Sequence, residues 1–337
     1  MHGLSGTVPV QYTAISMMIS IAVSTYEGEA FIGQQLQSLV DQRRQPDEVI
    51  VCDDASTDCT AQRVEAFAAC APFEVRLDRI DRNLGYAKCF ERAMRLCRGD
   101  LIMFCDQDDV WLRNKIAVQA RVFENQPQVA LVASDSRIVD ADLKPLGYSN
   151  LARHRFTHRH LTAVNGGRAF RTFVKLRVVS GHTMAVRRSL TETLLPIPEG
   201  WMHDQWISLV AAAVGRVVIL PDALVQYRQH RWQAVGGTGQ TVSQHVREHR
   251  RCDRDYFQKQ VRLFQSLEKR LVEFSDRLRK EEPILELARA KIDFLRARAA
   301  MRDHPFGRGL LIAQELLRGR YHRLGQGWLA VGRDVIG

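Results

Sequence analysis

Asp100-Leu101-Ile102-Met103-Phe104-Cys105-Asp106-Gln107-Asp108-Asp109-Val110-Trp111 begins apolar and ends acidic. The run Leu101–Cys105 has the length and composition of a buried strand. Directly after it, Asp106, Asp108 and Asp109 crowd three carboxylates into four residues. Charges that close repel one another, and taking each out of water costs several kcal/mol unless a cation sits among them. Mg²⁺ or Mn²⁺ is the simplest partner, because it takes oxygen ligands and keeps positions for water or phosphate. In an open α/β sheet, ligands bind just beyond the carboxyl ends of strands, where these acids fall. Asp106-Gln107-Asp108 therefore reads as an Asp-x-Asp metal clamp for a diphosphate. The competing reading is an acidic turn in which Asp109 caps a helix through Leu112, Ile116 and Ala120. An isolated Asp-x-Asp would be that turn; the motifs around it reverse the preference.

Upstream, Ile15–Val23 is strand-like and runs into Ser24-Thr25-Tyr26-Glu27-Gly28-Glu29. Phe31, Ile32, Leu36, Leu39 and Val40 follow at helical spacing. Glu48–Cys52 is a second strand ending in acid, at Asp53-Asp54-Ala55-Ser56-Thr57-Asp58. Thr60–Ala69 reads as helix, Val75–Leu77 as strand, Asn83-Leu84-Gly85 as turn, and Ala87–Cys97 as a helix stopped by Gly99. The alternation predicts a parallel sheet with helices on both faces. Downstream, Val129–Ser134, Val178–Val186 and Val217–Leu220 read as strands, and Arg153–Arg177 as a basic connection. Trp201–Trp206 leads into a helix, and Val235–Gln240 reads as a glycine-rich linker. Beyond it, Phe257, Val261, Phe264 and Leu267, then Ile284, Leu287, Ile292 and Leu295, form amphipathic stripes. The expected organisation is a loose tail over 1–14, an α/β domain over 15–238 and a basic helical region over 239–337.

Composition narrows the function. Seven cysteines, odd in number and without a C-x-x-C pair, argue against a disulfide framework and for a reducing cytosol. No apolar run approaches the about 18 residues of a membrane span. The net charge of +10 is uneven: residues 241–337 hold 21 Lys+Arg against 13 Asp+Glu. A basic tail suits an anionic partner such as a membrane surface, or is a solvated helical face. There is no G-x-G-x-x-G after the first strand and no P-loop sequence, so carboxylates and a metal, not a glycine loop, would hold a nucleotide.

Taken in order, six motifs resemble family 2 glycosyltransferases of the GT-A fold, and more closely its bacterial rhamnosyltransferases. They are Val23–Glu29, Asp53–Asp58, Asn83–Tyr86, Asp106–Trp111, His203-Asp204-Gln205-Trp206 and Tyr227-Arg228-Gln229-His230. The resemblance implies that Ser24, Thr25, Tyr26, Glu27 and Asp53 contact the nucleotide sugar, with turn or helix capping as the competing role of Asp53, and that Asp54 meets the base. Asp54 would accept from a pyrimidine N3–H. Asn83 and Gly85 would close over the ribose, with Lys88 and Gln107 nearby. Asp106 and Asp108 would flank the metal, with Asp109 as alternate ligand. Arg228 and His230 would hold the departing diphosphate.

Asp204 would be the base that deprotonates the acceptor, between Trp201 and Trp206 as sugar-stacking rings and His203 as an acceptor contact. Its competing role is to cap the helix near Gln205. The implied reaction is inverting, metal-dependent transfer of a sugar to a cell-surface polysaccharide or lipid-linked acceptor. The donor would be dTDP-L-rhamnose, with a UDP-hexose as alternative. Gln229-His230-Arg231-Trp232 falls one residue short of the Gln-x-x-Arg-Trp of processive members, so addition of one or a few sugars is expected. A phosphatase reading fails because the first strand ends in Ser24-Thr25-Tyr26, not a nucleophilic Asp. A nucleic-acid reading lacks any recognised motif. The expected location is the cytoplasm, with peripheral contact at the inner face of the membrane.

Overall fold

The structure is a computed structural model describing residues 17–230, 253–303 and 307–336. The expected loose tail and the Val235–Gln240 linker lie outside these residues.

Nine strands form one sheet in the order β3-β2-β1-β4-β8-β6-β9-β5, with β7 (Pro145–Ser149) paired to β6. Its first half matches the sequence expectation. β1 (Ile19–Thr25) runs parallel to β2 (Glu48–Asp53) and to β4 (Leu101–Asp106), and β2 runs parallel to β3 (Glu74–Arg79). These strands are apolar on both faces because helices cover both. Ile19, Ile21 and Val23 face a core with α1 (Ile32–Val40) and α4 (Lys115–Asn125), whereas Ala22 faces α3 (Tyr86–Leu96). Helix α2 (Thr60–Ala68) completes this half.

Its second half is mixed. β8 (Met184–Arg187) is antiparallel to both β4 and β6 (Val129–Val139), β6 is parallel to β9 (Arg216–Arg228), and β5 (Val110–Trp111) is antiparallel to β9. Only the end of the expected Val178–Val186 strand pairs; Gly181–Thr183 is instead a 3₁₀ turn. The basic connection is mostly helical. After α5 (Asn150–Arg153) come α6 (His158–Ala163) and α7 (Ala169–Phe173), whose Phe170 and Phe173 are buried. Asp109 does not cap α4, which begins six residues later at Lys115 behind Asn114.

Helix α8 (Thr191–Leu194) precedes α9 (His203–Val214), which is apolar nearly all round and lies inside the protein. The tail folds as α10 (Arg254–Glu273), α11 (Ile284–Asp303), α12 (Arg308–Leu317), α13 (Arg320–Leu324) and α14 (Trp328–Ile336). Phe257, Leu267 and Phe294 of the tail share one continuous core with Trp206 and Ile207 of α9 and Phe104 of β4. Arg270 of α10 reinforces this contact, donating to the carbonyls of Thr193 and Leu195 at 2.7 and 3.0 Å.

Candidate active site

The carboxyl ends of β1 and β4 meet at the Ser24–Asp106 pair. Above them lies a cavity of about 390 Å³ whose lining includes Ser24, Tyr26, Tyr86, Asp106, His182 and Asp204. Chain order gives no hint of this grouping; the parallel β1–β4 pair and the buried α9 create it.

The three carboxylates after β4 divide. Asp106 and Asp109 turn toward His182, whose Nδ1 lies 3.7 and 3.8 Å from their Oδ2 atoms. Ligand atoms from these three residues all lie within 4.8 Å of one another. The other ring nitrogen, Nε2, is 3.0 Å from Ser136 Oγ, and the ring stacks on Tyr227 at 4.4 Å. That contact orients the imidazole, and an Nε2–H donating to Ser136 leaves the Nδ1 lone pair facing the acids. Asp109 is fully buried; its Oδ1 accepts from the Arg228 amide at 3.0 Å, whereas its Oδ2 has no hydrogen-bond partner. Burial, then the charges of Asp108 and Asp106, push its carboxyl well up. Burial also acts to raise Asp106, but contact with His182 outweighs it and holds that carboxyl low. A buried carboxylate oxygen without a partner beside a second carboxylate and an imidazole nitrogen suits a divalent cation.

Asp108, expected as a metal ligand, also lines the cavity, but its Oδ2 lies 2.8 Å from His230 Nε2 and it is not in the Asp106–Asp109–His182 group. His230 is therefore occupied with the acidic turn. Arg228 is nearly fully buried, its Nε donates to the Asp108 carbonyl at 2.7 Å, and its other nitrogens bond Ala141 and Gln34. Both residues were expected on the departing diphosphate; both hold the Asp108–Asp109 turn instead.

Other expected contacts also become framework. Gln107 pins Tyr26 through both its backbone groups, at 2.8 and 2.9 Å. A Cβ on Gly28 would stand 2.2 Å from Gln107 Oε1, so a larger residue there would push the Gln107 amide off Tyr26. Glu27 accepts from the Thr57 amide and hydroxyl at 2.9 and 3.0 Å. Asp53 is fully buried and accepts from Thr25 Oγ1 at 3.0 Å and from the Ser56 amide at 3.1 Å. Asp54 accepts from the amides of Leu84 and Gly85 at 2.7 and 2.8 Å, which fixes the Asn83–Gly85 turn, and Gly85 adopts φ +84°. Lys88 is engaged by Glu91 and the Ile197 carbonyl at 2.9 and 2.8 Å, away from the cavity.

The expected aromatic platform is absent. Trp206 is fully buried and its Nε1 donates to the Leu194 carbonyl at 2.6 Å. Trp201 donates to Ser266 Oγ at 3.0 Å and packs edge-on against Phe264. Both rings seat the tail on α9. His203 does reach the cavity, as a ring stacked on Phe90 at 4.2 Å; burial holds its pKa down. Asp204 stands in the first turn of α9 and accepts from the Gln205 amide at 2.7 Å, while its carboxylate lines the cavity. Exposed Tyr26 and partly exposed Tyr86 stand on the same cavity wall.

Two residues that the sequence reading missed matter here. His182 had no local signal, because its acidic partners lie far back along the chain. Lys115 is fully buried beneath the turn, with Nζ 4.1 Å from the Trp111 ring centre and 3.0 Å from Gln119 Oε1. Burial pulls it down to about 7, against the pull of Cys105 and Asp109. Gln119 in turn donates to the Thr183 carbonyl at 2.7 Å, bracing the turn that carries His182.

A 25% identical protein of Mycobacterium tuberculosis matches over 220 residues, 63% of this chain and 59% of its own length. This chain thus spans about six-tenths of such relatives. A dTDP-rhamnosyl transferase of Shigella flexneri is 35% identical over 109 residues, 31% of this chain and 38% of that protein. A Pyrobaculum calidifontis mannosyltransferase, solved with GDP-mannose and Mn²⁺, superposes with a TM-score of 0.54 at 21% identity, over 89% of this chain and 75% of that one. The mixed sheet with its acidic turn after β4 is accordingly of GT-A type. The model for glycosyl transferase family 2 matches residues 20–195, more than half of the sequence, and the chain belongs to that family.

Proposed function

We propose that the protein transfers one sugar from a nucleoside diphosphate donor to a hydroxyl acceptor with inversion at the anomeric carbon. The observation supporting this most directly is the single cavity that holds Asp204 and Asp106 together. In the proposed step Asp204 takes the proton of the acceptor hydroxyl. The acceptor oxygen bonds to C1 from the face opposite the diphosphate, and the C1–O bond breaks with its electron pair leaving on the nucleoside diphosphate. Asp106, Asp109 and His182 would hold Mn²⁺ or Mg²⁺, which when bound offsets charge on the leaving diphosphate. Ser24, Tyr26 and Tyr86 line the space for the donor, and the Asp53 and Asp54 networks fix the loops around it.

The finer reading is dTDP-L-rhamnose as donor, and its support is the Shigella relative; a UDP-hexose is the alternative. The acceptor would be a cell-surface glycan or its lipid-linked precursor, reached from the cytoplasmic face. No helix among the described residues is long and apolar enough to cross a membrane. Leu317, Trp328 and Ile336 stand exposed on α12 and α14, which supports peripheral contact. The test is a donor panel with Mn²⁺, reading released nucleoside diphosphate from dTDP- and UDP-sugars. Release from dTDP-rhamnose above the UDP-hexoses is expected; no release from any donor would sink the reading.

A further inference from the structure

A second cavity, of about 370 Å³, lies between the α/β half and the tail helices. It shares His154, Arg177, Val179 and Gln205 with the cavity of Asp204, so the two adjoin. Its wall is cationic. Lys175, Arg177, Lys291, Arg298 and Arg333 all line it, and no carboxylate does among the described residues.

Among the described residues, Arg298 alone of these five has a carboxylate against it, Asp334, at 2.7 and 2.8 Å. The bonds of the others go to neutral atoms. Lys291 Nζ donates to the Leu324 carbonyl at 2.7 Å, and Arg177 donates to Gln260 Oε1 at 3.3 Å. Arg333 Nε is buried with no hydrogen-bond partner. Burial pulls Lys291 down to about 7, and the charges of Arg298, Arg177 and Lys175 add to the fall. Arg298 is buried, Lys175, Lys291 and Arg333 are half-buried and Arg177 is exposed. Holding like charges together around a partly enclosed space costs free energy that an anion recovers. Guanidinium and ammonium groups together are the donor set for phosphate oxygens. Phe173, Phe257 and Leu295 also line the space and suit a hydrocarbon stem beside the anion.

We propose that this cavity binds a phosphate or diphosphate ester, the anionic end of the acceptor, and so presents the acceptor hydroxyl to Asp204. The word acceptor here rests on the glycosyl-transfer reading; anion binding does not. The donor diphosphate belongs at the acidic turn, where a divalent cation would bridge like charges. A carboxylate-free basic wall is the electrostatic opposite and calls for a different anion.

The test titrates the full chain in EDTA, which removes metal-bridged binding at the acidic turn. Three probes are used: inorganic pyrophosphate, farnesyl diphosphate and phosphatidylglycerol vesicles. Wild type is compared with Lys175→Gln/Lys291→Met and, as a second variant, Arg333→Gln. Pyrophosphate and farnesyl diphosphate should bind wild type, and the variants should weaken both by about tenfold or more. Hydrolysis of a sugar nucleotide with Mn²⁺ should be unchanged in the same variants. Equal affinity in wild type and both variants would overturn the proposal, as would binding of vesicles alone. Binding of pyrophosphate without farnesyl diphosphate would overturn the acceptor assignment. Loss of donor hydrolysis already in wild type would instead count against the glycosyl-transfer reading and leave the binding result standing.

Discussion

His230 Nε2 lies 2.8 Å from Asp108 Oδ2, while the neighbouring Asp109 keeps a buried carboxylate oxygen with no hydrogen-bond partner. Two adjacent acids of one turn thus have opposite tasks. Asp108 anchors the turn to the end of β9, and Asp109 joins Asp106 and His182 around a common point.

Asp109→Asn should therefore weaken Mn²⁺ more than Asp108→Asn does. The expected loss is about tenfold or more, since altering even a group that only orients a metal ligand costs that much. Paramagnetic titration of Mn²⁺ reads it directly. If Asp108→Asn lost the metal and Asp109→Asn kept it, the assignment of ligands would be reversed.

Asp204→Asn should leave the affinity for donor unchanged and lower transfer by about 10²- to 10⁴-fold, the usual contribution of a positioned base. Calorimetry with the sugar nucleotide separates the two effects. Loss of donor binding would mean that Asp204 shapes the donor pocket instead.

Trp206→Ala should cost about 3–5 kcal/mol of stability, because it empties a fully buried site and leaves the Leu194 carbonyl without its donor. Denaturant unfolding measures this. A sugar-stacking ring would behave otherwise, raising the acceptor KM at little cost in stability.

Lys291 sets a pH dependence. Its pKa is about 7 in the folded chain and near 10.5 once exposed, so between these values the unfolded chain holds a proton that the folded chain lacks. Stability from this group must then rise as pH increases from about 7 toward 10, with a limiting slope of about 1.4 kcal/mol per pH unit. Lys291→Met should flatten the rise between pH 7 and 9. Buried Lys115 contributes in the same direction and should survive as the remainder.

Membrane contact is tested by replacing exposed apolar residues. Leu317→Asp/Trp328→Asp should reduce sedimentation with anionic vesicles and leave the thermal midpoint within a few degrees, since neither side chain is in the core. Unchanged sedimentation would count against this surface.

Much of the fold was legible because β1, β2 and β4 are short apolar runs that stop abruptly at polar residues. The helices α6 and α7 were not, because Arg, His, Thr and Gly dominate their local sequence and only a few buried residues such as Phe170 fix them. The acidic site was visible as composition, but not which acid faces which partner. That depends on a turn geometry set by Arg228 and His230, more than a hundred residues later. Trp201 and Trp206 misled for a related reason. An aromatic beside a catalytic-type acid looks the same in sequence whether it meets a sugar or, as here, the tail helices.

The core common to α9 and α10 makes the tail a splint for the helix that bears Asp204. Arg270 grips the carbonyls of Thr193 and Leu195 ahead of that helix, so slack in the tail would be felt as misalignment of the Asp204 carboxylate. Ending the chain after β9 would thus leave α9 in place but without its brace, with Trp201 deprived of its Ser266 partner and Trp206 of the Arg270 guanidinium over its ring.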